Sequence, residues 1–359
     1  MALGGRGRGV GDGRRGPRLP RVVARRGAAV RRERAMVPEA EFRSYYGRPV
    51  LKPPVWHEPH MPTYLYLGGV SGVSSAMAVM ARLTGHDRLA RTAGVAAAAG
   101  ASLGAALLSA ELGRPERFLN MFRVFKLSSP MSVGSWLLAV QGGLSAAALA
   151  GDLAGDLAGD LPGGLPGELG GGLTGVLPVA GDAALLATGL TGPLTATYTA
   201  VLVADTAVPA WHEAYRELPF LFAGSAMAAA GAVAMLGTPR AQAGPARAVA
   251  ALGAATETVA GEVLERRLGF VGEPYRKGRA GRLMRAARVL TAGGGLLAVV
   301  AGRSRALTAL AGIALTAGSL CTRFGILEAG RASAADPKYT VVPQRRRLDA
   351  RADAVPKDA

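Results

Sequence analysis

The chain has 359 residues, 50% of them hydrophobic, yet carries a formal net charge of +17. Strong basicity first suggests nucleic acid, but only 5% of residues are aromatic, too few for base stacking, and the mean hydropathy is +0.23. With the apolar residues gathered in long blocks, this composition argues against a nucleic-acid partner, a disulfide scaffold and an ordinary soluble enzyme, and for a membrane protein with basic edges. Cys321 is the single cysteine, so the sequence offers neither an internal disulfide nor a cysteine set for an iron–sulfur cluster.

Residues 1–35 hold eleven Arg against Asp12 and Glu33, about half of the net charge. They contain no apolar run long enough for a signal-peptide core, and none follows the pairs Arg14–Arg15 and Arg25–Arg26. Met36 opens a more ordinary sequence. Two readings fit this break: Met36 is the true start behind an upstream Arg/Gly-rich extension, or residues 1–35 are a disordered basic arm on anionic lipid. Residues 36–62 then form a cytoplasmic segment leading into the membrane.

Eight apolar blocks follow, near 63–82, 89–110, 131–150, 176–206, 217–237, 246–264, 283–301 and 305–327. Each is long enough to cross a hydrocarbon core of ~30 Å at ~1.5 Å per residue. The second and sixth are rich in Ala and Gly, which let helices approach closely. The fourth is long and contains Gly192–Pro193, where a kink or break is expected. The Gly-Asp-Leu repeat at 151–172 reads as a flexible acidic loop, since Gly and Pro oppose a long helix and carboxylates oppose membrane burial. A calcium site on Asp152, Asp156 and Asp160 is the weaker reading, because the spacing is not that of an EF-hand.

The expected fold is therefore an all-α integral membrane protein, with eight transmembrane helices bundled over 63–328 and a basic, disordered tail over 329–359. With eight spans, 23 Lys and Arg (excluding residues 1–35) fall on the side of the termini and 7 on the other. The positive-inside rule places both termini in the cytoplasm of a multi-pass plasma-membrane protein.

Protonatable residues collect at two places. His57, Glu58 and His60 precede the first span, with Pro59 and Pro62 stiffening the entry and Tyr64 and Tyr66 suited to the interface belt. Their extended spacing lacks the helical His-x-x-x-His geometry of a metal site. Between spans two and three, Glu111, Gly113, Arg114, Pro115 and Arg117 lead into an amphipathic stretch with Phe118, Met121, Phe122 and Phe125 on one face. That shape suits docking a partner or framing a pocket. Asp205, Glu257, Glu262 and Arg323 fall within or at the ends of spans, where charge is costly, and read either as a proton path or quinone contact or as intramembrane ion pairs.

The run Glu-Leu-Gly-Arg-Pro-Glu-Arg-Phe from Glu111, followed by Ser-Pro-Met-Ser-Val-Gly-Ser-Trp from Ser129, resembles the NrfD/PsrC family of membrane oxidoreductase subunits. The Trp56…Gly68–Gly69 and Thr195–Ala200…Trp211–His212 regions are also similar to it. The resemblance runs over about 50–330. It implies an eight-helix anchor that exchanges electrons with quinone (menaquinone or ubiquinone) and binds no haem. A partner iron–sulfur subunit and a molybdopterin-type catalytic subunit would sit on the cytoplasmic face. The sequence agrees on haem, since none of its four His forms a pair inside spans. Carried over, the family's first-helix histidine falls on His57 or His60 and its fourth-helix polar residue on Tyr198 or Asp205. Glu58 is a further candidate for the proton relay. A secondary transporter, suggested by the interrupted fourth span and the intramembrane carboxylates, and a purely structural anchor are the alternatives.

Overall fold

The computed structural model describes residues 50–160 and 168–353. The expectations for residues 1–35, for Met36, for positions 161–167 of the acidic stretch and for the last six residues lie outside the described residues. The described chain contains eleven α-helices and no strand. The long ones are α1 (His60–Leu83), α2 (Asp87–Glu111), α3 (Pro130–Asp160), α4 (Glu168–Ala204), α6 (Leu218–Gly237), α7 (Gly244–Leu268), α9 (Gly278–Val300) and α10 (Arg305–Ala335). Two single-turn helices, α5 (Pro209–His212) and α8 (Glu273–Arg276), join them, and α11 (Lys338–Asp353) closes the chain. The basic tail is therefore helical over most of its length, not irregular. Among the described residues, seven helices are long and apolar enough to cross a membrane: α1, α2, α3, α4, α6, α9 and α10. Helix α7 has the length, at 25 residues, but Glu257, Glu262, Glu265, Arg266 and Arg267 lower its hydropathy.

Helix α1 is the centre of the bundle, packed against α2, α4, α6 and α10. This explains a departure from expectation. Tyr64 and Tyr66 do not lie at a lipid interface; they are 4% and 9% exposed inside the bundle, because a central helix has no lipid face at their level. Small residues make the packing possible. A Cβ on Gly192 would lie 2.3 Å from the Gly72 carbonyl oxygen, so α1 and α4 meet backbone to backbone. Polar contacts reinforce the same seam: Gln141 of α3 donates to Ser75 and accepts from Thr191 at 2.6 Å.

That seam also bears on the fourth span. The helix is not broken at Pro193 but continues from Glu168 to Ala204 with Pro178 and Pro193 inside it. Beside it the Thr197 hydroxyl back-bonds to the Pro193 carbonyl at 2.9 Å. The acidic repeat differs too. Residues 151–160 are not a loop but the last turns of α3. The four-residue period places Asp152 and Asp156 on one helix face, where Asp152 pairs with Arg82 and Asp156 with Arg91. Paired carboxylates at a helix end escape the penalty that a buried charge would carry.

One end of the bundle carries residues 50–59, the ends of α2 and α7, and α11. Glu58 accepts from Arg331, Arg267 pairs with Glu217, and Glu213 accepts from Arg347 at 2.5 Å. We call this the proximal end. At the distal end, Thr92 reaches the Gly237 carbonyl and Arg240 the Arg303 carbonyl. Helix α7 runs from the distal to the proximal end, so the first and last described segments share one end.

Candidate functional site

The proximal end is organised by residues 54–60. Trp56 stacks on Trp211 with ring centroids 5.2 Å apart, and the Trp211 indole donates to the Ile326 carbonyl at 2.7 Å. Arg331 donates to the Trp56 carbonyl and, at 3.3 Å, to Glu58. Arg279 also donates to Glu58, at 2.7 Å. Glu58 therefore faces the cationic ends of α9 and α10, away from its neighbours in sequence.

His57 and His60 instead meet Glu111, the last residue of α2. Glu111 Oε1 accepts from the His57 backbone N–H at 2.6 Å and lies 3.0 Å from His57 Nδ1. Its other oxygen lies 3.7 Å from His60 Nδ1. Glu111 is 9% exposed at its side chain, and neither its Oε2 nor His60 Nδ1 has another protein partner among the described residues. The Glu111 carboxylate therefore lies between two imidazoles, within hydrogen-bond reach of His57 and 3.7 Å from His60. Glu111 is held there by local structure. Gly113 takes φ +70, which turns the chain out of α2 and into the 3-10 helix Pro115–Phe122. Arg117 is exposed beyond that turn. Phe122 and Phe125 pack edge-on against Trp136, giving the amphipathic segment its apolar face.

Tyr198 and Asp205 lie together in a second setting, a groove of about 820 Å³ between α3, α4 and the α5 turn. Its walls are mostly apolar (Val133, Leu137, Leu194, Val201), and Ser128, Thr197, Tyr198, Asp205, His212 and Tyr215 supply its polar groups. The Tyr198 ring occupies the space that a Cβ on Gly134 would fill, so α3 yields room at that level. His212 Nδ1 lies 3.3 Å from the Ala204 carbonyl oxygen, which holds that nitrogen as a donor. His57, Glu58 and His60 do not line this groove. Tyr64, one turn beyond His60 on α1, is buried in the neighbourhood of Tyr198 and so lies between the two settings.

The intramembrane charges separate as well. Glu262 pairs with Arg266 at 2.8 Å on an exposed face of α7. Glu257 and Arg323 are buried and belong to neither setting. Glu111 as the partner of both histidines, Tyr64 as the bridge and His212 as a groove residue were not singled out by sequence reasoning. Helix lengths carry a signal for the first. A 24-residue and a 25-residue helix joined by a tight turn must bring the start of one level with the end of the other.

An all-α bundle with seven long apolar helices, closed at one end by a charged and aromatic cap, defines a multi-pass membrane protein. The family described as "Polysulphide reductase, NrfD" matches residues 50–246, more than half of the chain, and the chain belongs to that family. No curated protein matches it. The matched region includes the His57–Glu111–His60 cluster and the whole groove.

Proposed function

We propose that this protein is the quinone-interacting membrane subunit of a multi-subunit oxidoreductase, passing electrons between a partner iron–sulfur subunit and the menaquinone or ubiquinone pool. The observation that carries this reading is the groove of about 820 Å³, apolar along its walls and polar at Tyr198, Asp205 and His212. Its size and lining suit a hydrophobic ring compound with two oxygen atoms to be recognised. Reduction of a quinone takes up two electrons and two protons. In this chain the Tyr198 hydroxyl donates a hydrogen bond, the Asp205 carboxylate resupplies a proton, and His57 and His60 hold a proton against Glu111. Tyr64 stands between the two groups. The transporter alternative loses its main support, since α4 is continuous through Pro193.

In the same reading α7 is the eighth span, both termini are cytoplasmic, and the protein sits in the plasma membrane. The iron–sulfur and molybdopterin-type subunits dock on the cytoplasmic proximal face, around Glu111, Gly113, Arg114, Pro115 and Arg117. The chain contributes no haem or cluster of its own. The test is quinone-linked electron transfer in membranes carrying the assembled complex with His57→Ala, His60→Ala or Asp205→Asn. A fall of about 10²-fold or more in at least one variant is expected, the usual scale for losing a proton donor. Unchanged rates in all three with normal assembly would overturn the site. A reporter fused at Ala359 is expected to be cytoplasmic.

A further inference from the structure

We propose that Glu257 is an internal proton-exchange site, open to the proximal end of the bundle and closed towards the distal end. The inference does not rest on the quinone reading, and Glu257 lies beyond the residues matched to the family.

Glu257 sits in the middle of α7 and is 4% exposed. The Thr322 hydroxyl of α10 donates to its Oε1. The Ser225 hydroxyl of α6 and the Thr291 hydroxyl of α9 also lie within hydrogen-bond reach of the carboxyl. Arg323, next to Thr322, is 1% exposed. Its guanidinium lies 3.8 Å over the Phe222 ring and donates to the Phe222 carbonyl at 3.1 Å. Tyr66 of α1 faces Arg323 as well. Arg288 of α9 and Glu265 of α7 stand along the path, and Arg288 also lies 3.9 Å from Glu262 on the outer face of α7.

A purely structural ion pair would put the carboxylate and guanidinium in direct, often bidentate contact, because only close pairing offsets the desolvation of both. That is not the arrangement here. Glu257 Oε2, Arg323 Nε and Arg323 Nη1 are buried without a hydrogen-bond partner among the described residues, and the carboxyl is met by hydroxyl groups rather than by the guanidinium. Arg323 has support of its own from the Phe222 ring and carbonyl, so it remains tolerable as a cation whether Glu257 is charged or neutral. A buried carboxyl ringed by hydroxyls from three other helices, with a guanidinium nearby that does not pair with it, forms a site for water and a proton rather than a clasp.

The route in is one-sided. A cavity of about 20 Å³ runs beside Glu257, Gly261, Glu265, Arg288 and Thr291, room for about one water molecule. At its outer end Arg288 donates to Glu265 at 2.6 Å, with the Arg288 side chain 40% exposed. Towards the distal end the same helices are sealed by packed Ala228, Ala250, Ala254, Ala298 and Leu315. A proton arriving from water at the Glu265 end binds Glu257 Oε2 and converts the carboxylate to a neutral acid. Release returns it by the same path, and only O–H bonds form and break.

The test is pH-jump infrared difference spectroscopy of the full chain in lipid nanodiscs, in H₂O and in D₂O. The expected result is a protonated-carboxyl band that responds to pH, shifts in D₂O and disappears in Glu257→Gln. Gly261→Val keeps Glu257 but fills the cavity, and is expected to slow proton uptake by about tenfold or more while leaving the band in place. Glu265→Gln is expected to slow uptake less. A carboxyl band that survives Glu257→Gln, or one whose response is as fast in Gly261→Val as in the parent protein, overturns the proposal. Should Glu257→Gln not fold, the Gly261→Val kinetics decide alone.

Discussion

Glu111 Oε1 lies 2.6 Å from the backbone nitrogen of His57 and 3.0 Å from its Nδ1, so the last residue of α2 fixes both the main chain and the ring at the mouth of α1. Replacing the carboxylate separates those two tasks. Glu111→Gln retains an acceptor for the backbone N–H and is expected to leave thermal stability nearly unchanged while lowering quinone-linked turnover. Glu111→Ala also strands a part-buried N–H, which costs about 1–3 kcal/mol. Thermal unfolding measured alongside turnover distinguishes the two; equal stability losses would contradict this division of roles.

Tyr198 offers a test of the groove. Tyr198→Phe keeps the ring that fills the space beside Gly134 and removes only the hydroxyl. Affinity for a quinone analogue is expected to fall by about 1 kcal/mol, the loss of one hydrogen bond, with stability preserved. Gly134→Leu places a side chain where the ring sits and is expected to abolish analogue binding. If Gly134→Leu bound the analogue normally, the ligand would have to lie elsewhere.

The charge pairs at the distal end are expected to contribute little. Arg91 and Asp156 are each nearly half exposed at the side chain, and exposed pairs contribute about 0.2–1 kcal/mol, less in salt. A double-mutant cycle with Arg91→Ala and Asp156→Ala measures this directly. A coupling well above that range would show that the repeat anchors α3 more firmly than surface pairing allows.

Acid stability of the C-terminal helix follows from Glu273. Its carboxyl is lowered from 4.5 to about 2 by the Lys277 ammonium, the Tyr339 hydroxyl and Lys338. A depressed carboxylate stabilises the docked state above its unfolded value, and that contribution is lost as pH falls through the folded one. Lys277 keeps its pairing with Glu273 whether or not α11 is docked, so only the Tyr339 and Lys338 share acts on docking; the contact between α8 and α11 is expected to hold at neutral and mildly acidic pH and to weaken modestly as the carboxyl is protonated between pH 4.5 and about 2. Hydrogen exchange of residues 338–350 against pH reads this out. Loss of protection already near neutrality would mean that another group controls the docking.

The spans are legible in the sequence because an apolar run of membrane length is rarely compatible with any environment but lipid or a deep core. The end of α3 and the course of α4 depart from the sequence reading for a specific reason. Gly, Pro and Asp oppose helices in water, but Arg82 and Arg91 supply the missing counter-charges, and α4 is held through its prolines by close packing of Gly192 on Gly72 of α1. The site is half legible. His57, Glu58 and His60 cluster in sequence, yet an extended entry segment points successive side chains in different directions, and Glu58 leaves the group for Arg279 and Arg331. The residue that joins the histidines is 54 positions away. Glu257 and Arg323 are visible as charges in apolar runs, but the gap between them is a property of packing that no spacing rule contains.

The grip of Arg331 on Trp56 and Glu58 spans up to 275 positions of chain. The entry segment of α1 is among the first described residues to be synthesised, yet it cannot take its final place until α10 has been made and inserted. Completion of the proximal cap is thus a late event in biogenesis, and a chain arrested before α10 would present its histidines on an unsecured strand.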